Sequence, residues 1–324
     1  ADVVDEAGDV VVTPFDPDDP APPGGKWDEY VLQEVTFGYD AVGVPADMAR
    51  YWVKKGYTAS WLYWGDGRIW AARGTVYGVY SAWSEATMTI RKNTIRDCTL
   101  GVFFIGNGGS GDPFTAIVED NEIVTFSGPV PFLDTSGVLA LSTPMYDAYK
   151  GEYIDLEPGT NIEVRDNHIV GNYPYQGWYM SGIDIEVNGS ALVEGNDVEV
   201  ASSSGIALWW PTDGGQVLRN RVSGTGDYAL VTYWDANHNE LRANNVNNFT
   251  PAGPGPAWAD PPIPPAEILL LSNGNRVIGG GNHEPGVTVL DFGTDNIITG
   301  MTRQVGRPLS AAERATINSA RDRK

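Results

Sequence analysis

Six segments of the chain, RKNTIRDC, EDNEIVTF, RDNHIVGN, EGNDVEVA, LRNRVSGT and RANNVNNF, each hold an asparagine followed two residues later by Ile or Val. Those asparagines are Asn93, Asn121, Asn167, Asn196, Asn220 and Asn244, and GNRVIG continues the series at Asn275. A motif returning every 24 to 46 residues marks a chain built from one repeated unit. A second column runs beside it: GVFFI, GVLAL, GIDIE, GIALW, DYALV, EILLL and GVTVL. Each repeat therefore holds at least two short strands joined by turns, too short to pair with one another. Stacking coil on coil solves the pairing. It sets like residues about 4.8 Å apart, lets asparagines at one turn bond in a ladder, and gathers the apolar residues into an interior. The widest interval, from Asn121 to Asn167, fits two coils or one coil with a long excursion.

Over roughly residues 90 to 300, these Asn-x-Ile/Val turns and Gly-led strands resemble the right-handed parallel β-helix, or pectin-lyase-like, superfamily. The resemblance implies an all-β right-handed solenoid of parallel strands with an asparagine ladder. That fold hosts lyases, hydrolases, epimerases, fructotransferases, tailspikes and adhesins, so it does not select an activity. The Asn-x-Asp, Asp-Asp, Gly-His-Gly and Arg-x-Lys set of polygalacturonases is missing. A narrower segment, NNFTPAGPGPAWADPPIPPAEILLLSNGNRVIGGGN, is similar to the inulin fructotransferases, in which a Pro-rich excursion also leaves the helix and returns on an apolar strand.

The ends read differently. Residues 1–90 are expected to hold early coils decorated by a helix over 45–55 and an aromatic hairpin over 61–70. Pro45, Asp47, Lys54, Lys55 and the stop at Gly56 are helix signals, and Asp66-Gly67 between aromatic runs is a hairpin turn. Residues 91–300 form the solenoid. In 301–324, Ser310 and Glu313 make a capping box, predicting a helix that caps the last coil.

Asp plus Glu number 42 against 21 Lys plus Arg, a formal charge of -21 that repels nucleic acid and anionic membrane alike. A uronic-acid polymer would need Ca2+ as a bridge or a local basic patch, so a neutral polysaccharide is the expected partner and no cofactor is expected outside a Ca2+-dependent lyase. Cys98 is the only cysteine, and no Cys/His spacing suggests zinc. The expectation is a secreted bacterial protein from which any signal peptide has been removed.

The chemistry centres on GIDIEV. Ile183 and Ile185 alternate as a buried strand face, which sets Asp184 and Glu186 side by side on the other. By the same parity Val102, Phe104, Val138, Ala140, Ile183, Ile185, Ile206, Leu208, Tyr228 and Leu230 point inward. Phe103, Ile105, Leu139, Leu141, Asp184, Glu186, Ala207, Trp209, Ala229 and Val231 then point outward. An outer face this apolar calls for a cover, by a loop, the N-terminal insertion or another subunit in a homotrimer. Under a cover, burial and repulsion would hold one carboxyl protonated and leave the other ionised, the division a general acid and its partner require. The alternative is a pair that is solvated or bound to Arg165.

Trp209, Trp210, Tyr233, Trp234, Trp178 and Tyr179 lie where sugar rings would stack, unless they pack coil on coil. Asp235 is a further catalytic candidate and His238 a binding one, each also readable as turn chemistry. Asp155 and Glu157 form a reserve pair. The reading is a carbohydrate-active enzyme, a glycoside hydrolase or intramolecular glycosyl transferase. A Ca2+-dependent lyase or epimerase and a non-catalytic adhesin or tailspike-like binder are the alternatives.

Overall fold

The structure is a computed structural model. It describes residues 2–4, 8–36, 48–61, 69–73, 77–82, 87–98, 100–105, 114–125, 135–141, 146–147, 152–153, 160–171, 180–201, 204–209, 211–233, 236–252, 263–279 and 287–306. Two compact units divide the chain: Ala1–Thr75 with Pro129–Phe132 and Met145–Asp155, and Val76–Gly128 with Leu133–Pro144 and Leu156–Lys324.

The larger unit is a solenoid of three parallel sheets, of nine, eight and six strands. One coil runs through Asn161–Arg165 of the eight-stranded sheet, His168–Gly171 of the six-stranded sheet and Met180–Glu186 of the nine-stranded sheet. The next coil repeats the order with Ala191–Glu194, Asp197–Val200 and Ser204–Leu208. Ile123, Ile169, Val198 and Val222 gather with Val138, Ile183, Ile206 and Leu230 in one continuous apolar core. Cys98 belongs to that core, where burial pushes its thiol up to about 11 and makes it a packing residue.

The ladder holds the coils in step. The side-chain amide of Asn167 donates to Asn196 Oδ1 at 2.9 Å and to the Val118 carbonyl at 2.8 Å, while its backbone N–H donates to the same Asn196 Oδ1 at 3.0 Å. The pattern runs unbroken from Asn93 through Asn121, Asn167, Asn196 and Asn220 to Asn244. Asn121 bonds Asn167 directly, and Thr115–Glu119 pairs with Asn161–Arg165, so the widest interval is one coil with a long excursion. Asn275 departs from the expected series. It sits at a different corner, in a second ladder with Asn239 and Asn296 that precedes the eight-stranded sheet. The left-handed backbone falls on the residue before each ladder asparagine, as at Lys92, Asp120, Asp166, Arg219 and Ala243, which leaves the asparagine free to bond.

A second corner is set by glycine. A Cβ on Gly101, Gly137, Gly182 or Gly205 would stand within 2.4 Å of a methyl of Ile123, Ile169, Val198 or Val222. Four strands of the nine-stranded sheet therefore turn against the core at a residue that carries no side chain. At the C-terminal end the interior becomes polar. Asp291, fully buried, accepts from Asn296 at 2.7 Å and pairs with Arg303 at 2.6 Å.

The smaller unit contains an antiparallel sheet in which Met48–Lys54 lies between Val10–Pro14 and Tyr30–Thr36. The coils expected before Tyr77 are thus replaced by antiparallel pairing, and the helix expected over 45–55 is a strand from Met48 onward. Tyr51, Trp52 and Val53 favour a strand, with neighbours on both sides to satisfy the backbone. Gly56, at φ 90°, turns that strand into the next, Tyr57–Trp61, which pairs with Ile69–Arg73 as a hairpin. The predicted capping helix begins beyond Gly306 and lies outside the described residues, which end on the strand Thr302–Val305.

Replacing Asn196 by Ala orphans the buried Asn167 N–H and Val164 carbonyl, at roughly 1–3 kcal/mol each. We expect a loss of about 2–4 kcal/mol in chemical denaturation, against under about 1 kcal/mol for Asn93→Ala at the exposed first rung.

Candidate active site

The outer face of the nine-stranded sheet carries three rows of side chains. At the corner, marked by Gly101, Gly137, Gly182, Gly205 and Ala229, two successive residues face inward and the residue before them faces out. Register places Leu100, Ser136, Ser181, Ser204, Tyr228 and Ala266 in the first row. The second holds Phe103, Leu139, Asp184, Ala207, Val231 and Leu269. In the third, Leu141 pairs with Glu186, and Trp209 and Tyr233 follow on the next rungs, each directly after a paired residue. Tyr228 accordingly corrects the parity reading. It lies in the outer cluster with Ala207 and Val231, and Ala229 takes the inward position at the corner.

Asp184 is 0% exposed and Glu186 6%, which removes a solvated pair from consideration. Arg165 is ion-paired with Glu163 on the eight-stranded sheet, away from this face. The row neighbours of the two carboxyls are apolar: Leu139 and Ala207 beside Asp184, Leu141 and Trp209 beside Glu186. The other two sheets present charge to water instead, with exposed pairs such as Arg91–Glu119 at 3.1 Å and Arg221–Asp197 at 3.8 Å. Part of the cover expected over the apolar face is visible. Ile263, where the Pro-rich excursion returns, packs into the outer cluster with Trp209, Tyr233 and Leu269.

Trp209 and Tyr233 stack on one another, with ring centroids 3.7 Å apart and planes at 18°, and both are buried. Their faces meet each other, the coil-to-coil packing that was the alternative to sugar stacking. The Tyr233 hydroxyl reaches back across the face to hydrogen-bond Ser204. Burial pushes the Tyr233 phenol well above its ordinary range, the Ser204 bond works against it, and the charges of Asp227 and Asp184 add to it. Burial does the same to Tyr228, with smaller contributions from Tyr233 and Asp227. Asp184 and Tyr233, on strands two rungs apart, thus share one electrostatic neighbourhood.

His238 stands apart from this arrangement. With φ 55° it fills the left-handed position before ladder residue Asn239, and its exposed ring pairs with Asp213 at 2.9 Å. Asp235, Trp210, Trp234, Trp178, Tyr179, Asp155 and Glu157 lie outside the described residues. Among the described residues, no group of three His, Cys, Asp or Glu side chains gathers as a metal site would require. The serine row was not foreseen. Its signal is a Ser-Gly dipeptide at Ser136, Ser181 and Ser204 in three successive coils.

Both tyrosines are held neutral by the fold, so their folded pKa lies above the unfolded value near 10.0. Their contribution is full below pH 10 and is lost as pH rises beyond it, where the unfolded chain releases protons that the folded one retains. The melting temperature should therefore fall between pH 9 and 11, and Tyr228→Phe with Tyr233→Phe should flatten that fall in a thermal scan.

The model of the right-handed β-helix region matches residues 77–255, more than half of the chain, and no curated protein or solved structure matches it. Nothing in these comparisons singles out the inulin fructotransferases. With the parallel sheets, the ladder and the corner glycines all inside or beside the matched span, the chain belongs to the right-handed β-helix family, a fold that often carries carbohydrate-active enzymes.

Proposed function

We propose that the protein cleaves or rearranges glycosidic bonds of a neutral polysaccharide, with Asp184 and Glu186 as the acid and its partner. The observation that carries this reading is the burial of two acidic side chains whose row neighbours on the rungs to either side are apolar. The neighbouring rungs fill the same positions with Leu, Ala and Trp, so stacking does not require acids there.

On one strand, side chains two residues apart have Cα atoms about 6.7 Å apart. Carboxyl groups rooted at that spacing reach both the roughly 5 Å separation of retaining glycosidases and the wider gap of inverting ones. One carboxyl gives its proton to the leaving glycosidic oxygen. The other, ionised, serves as nucleophile or as base for a water or an incoming sugar hydroxyl. Because both are closed off from solvent, substrate reaches them by displacing what covers them. The overall negative charge disfavours an anionic polymer and leaves a neutral one.

Asp184→Asn and Glu186→Gln, each nearly isosteric, should lower turnover at least a hundredfold with unchanged circular dichroism. Activity is read as new reducing ends or cyclic products from a panel of neutral polysaccharides. Full activity in both variants would remove the pair from the mechanism. An unsaturated uronate product would point to a lyase, and retention without product to a binder.

A further inference from the structure

The first row of the outer face carries hydroxyls over four rungs, where the other rows are apolar apart from Asp184 and Glu186. Ser136, Ser181, Ser204 and Tyr228 occupy four successive rungs, spanning about 14 Å along the solenoid at roughly 4.8 Å per rung. All four are buried, Ser136 and Tyr228 to 0% and 1% exposure. Among the described residues, neither the Ser136 hydroxyl nor the Tyr228 hydroxyl has a hydrogen-bond partner. Leaving a buried hydroxyl unsatisfied costs roughly 1–3 kcal/mol, and here two stand in line, one rung before and two rungs after the strand that carries Asp184.

We infer that this hydroxyl row is a binding subsite for a neutral oligosaccharide, in which Ser136 and Tyr228, at its two ends, hydrogen-bond hydroxyl groups of different sugar units on either side of Asp184. A serine or tyrosine hydroxyl both donates and accepts, as a sugar hydroxyl does, so each can take a sugar hydroxyl in either sense. The row carries no charge, and the acidic pair next to it disfavours a carboxylated sugar. Its length exceeds one sugar ring, which favours a chain over a monosaccharide. The apolar second row, Leu139, Ala207 and Val231, offers a surface for the C–H faces of the same rings. This inference rests on the carbohydrate reading of the site and extends it from the reacting bond to the units on either side.

The test uses Ser136→Ala and Tyr228→Phe in the full-length chain carrying Glu186→Gln, titrated calorimetrically with neutral oligosaccharides of glucose, mannose and fructose. For the oligosaccharide that binds the Glu186→Gln parent, each substitution should weaken affinity roughly tenfold. The melting temperature of the sugar-free protein should stay the same or rise, because an unsatisfied hydroxyl has been removed. Unchanged affinity together with a lowered melting temperature would make the hydroxyls structural and overturn the subsite. Failure of every neutral oligosaccharide to bind the parent would overturn it as well. Weakened binding in the two variants, alongside full turnover by Glu186→Gln without them, would keep the subsite and dismiss the catalytic role of Glu186.

Discussion

The hydrogen bond from one buried asparagine amide to the next fixes everything else in the solenoid. From Asn121 to Asn220 each side-chain amide ties its turn to the asparagine of the following coil and to a carbonyl of the preceding one. A coil cannot slip by one residue without orphaning those groups in the core. A slip would also exchange the two faces of every strand, sending Ile183 and Ile185 out and Asp184 and Glu186 into the apolar interior. The address of the acidic pair is thus set by a ladder at another corner of the coil.

The corner glycines give the outer face its pattern. Two inward residues in succession at Gly182 and Ile183 break simple alternation, and the break brings Ser181 outward three residues before Asp184. Three rows result, one of hydroxyls, one centred on Asp184 and one running from Glu186 to the Trp209–Tyr233 stack. The stack shields the C-terminal side of the pair and carries a phenol back to Ser204. Asp184 and Glu186 lie under cover, whereas the ion pairs of the other two sheets meet water, and that difference separates the site from the paired acids of those sheets.

Much of this was legible in the sequence because stacking repeats its requirements. The ladder asparagines, the inward Ile and Val, the glycine column and the outward Asp184 and Glu186 all follow from like residues recurring in like places. Errors arose where the repeat is local or broken. Alternation alone cannot register a corner, so Tyr228 and Ala229 exchanged faces. Asn275 shares its motif with the main ladder, and only the pairing of Arg276–Ile278 in the eight-stranded sheet assigns it to the second. Met48–Lys54 has helix-like ends, but its aromatic and β-branched residues find strands on both sides. Ring-on-ring packing of Trp209 and Tyr233 depends on rotamers that no spacing encodes.

We propose above all that the rung bearing Asp184 and Glu186 is where a neutral glycan is held and its glycosidic bond attacked. A crystal structure of Glu186→Gln soaked with a neutral oligosaccharide tests it most directly. Sugar density should run along the outer face of the nine-stranded sheet, with a glycosidic oxygen within hydrogen-bond distance of residue 184 or 186. Sugar bound elsewhere, with this face still closed over the two side chains, would contradict it.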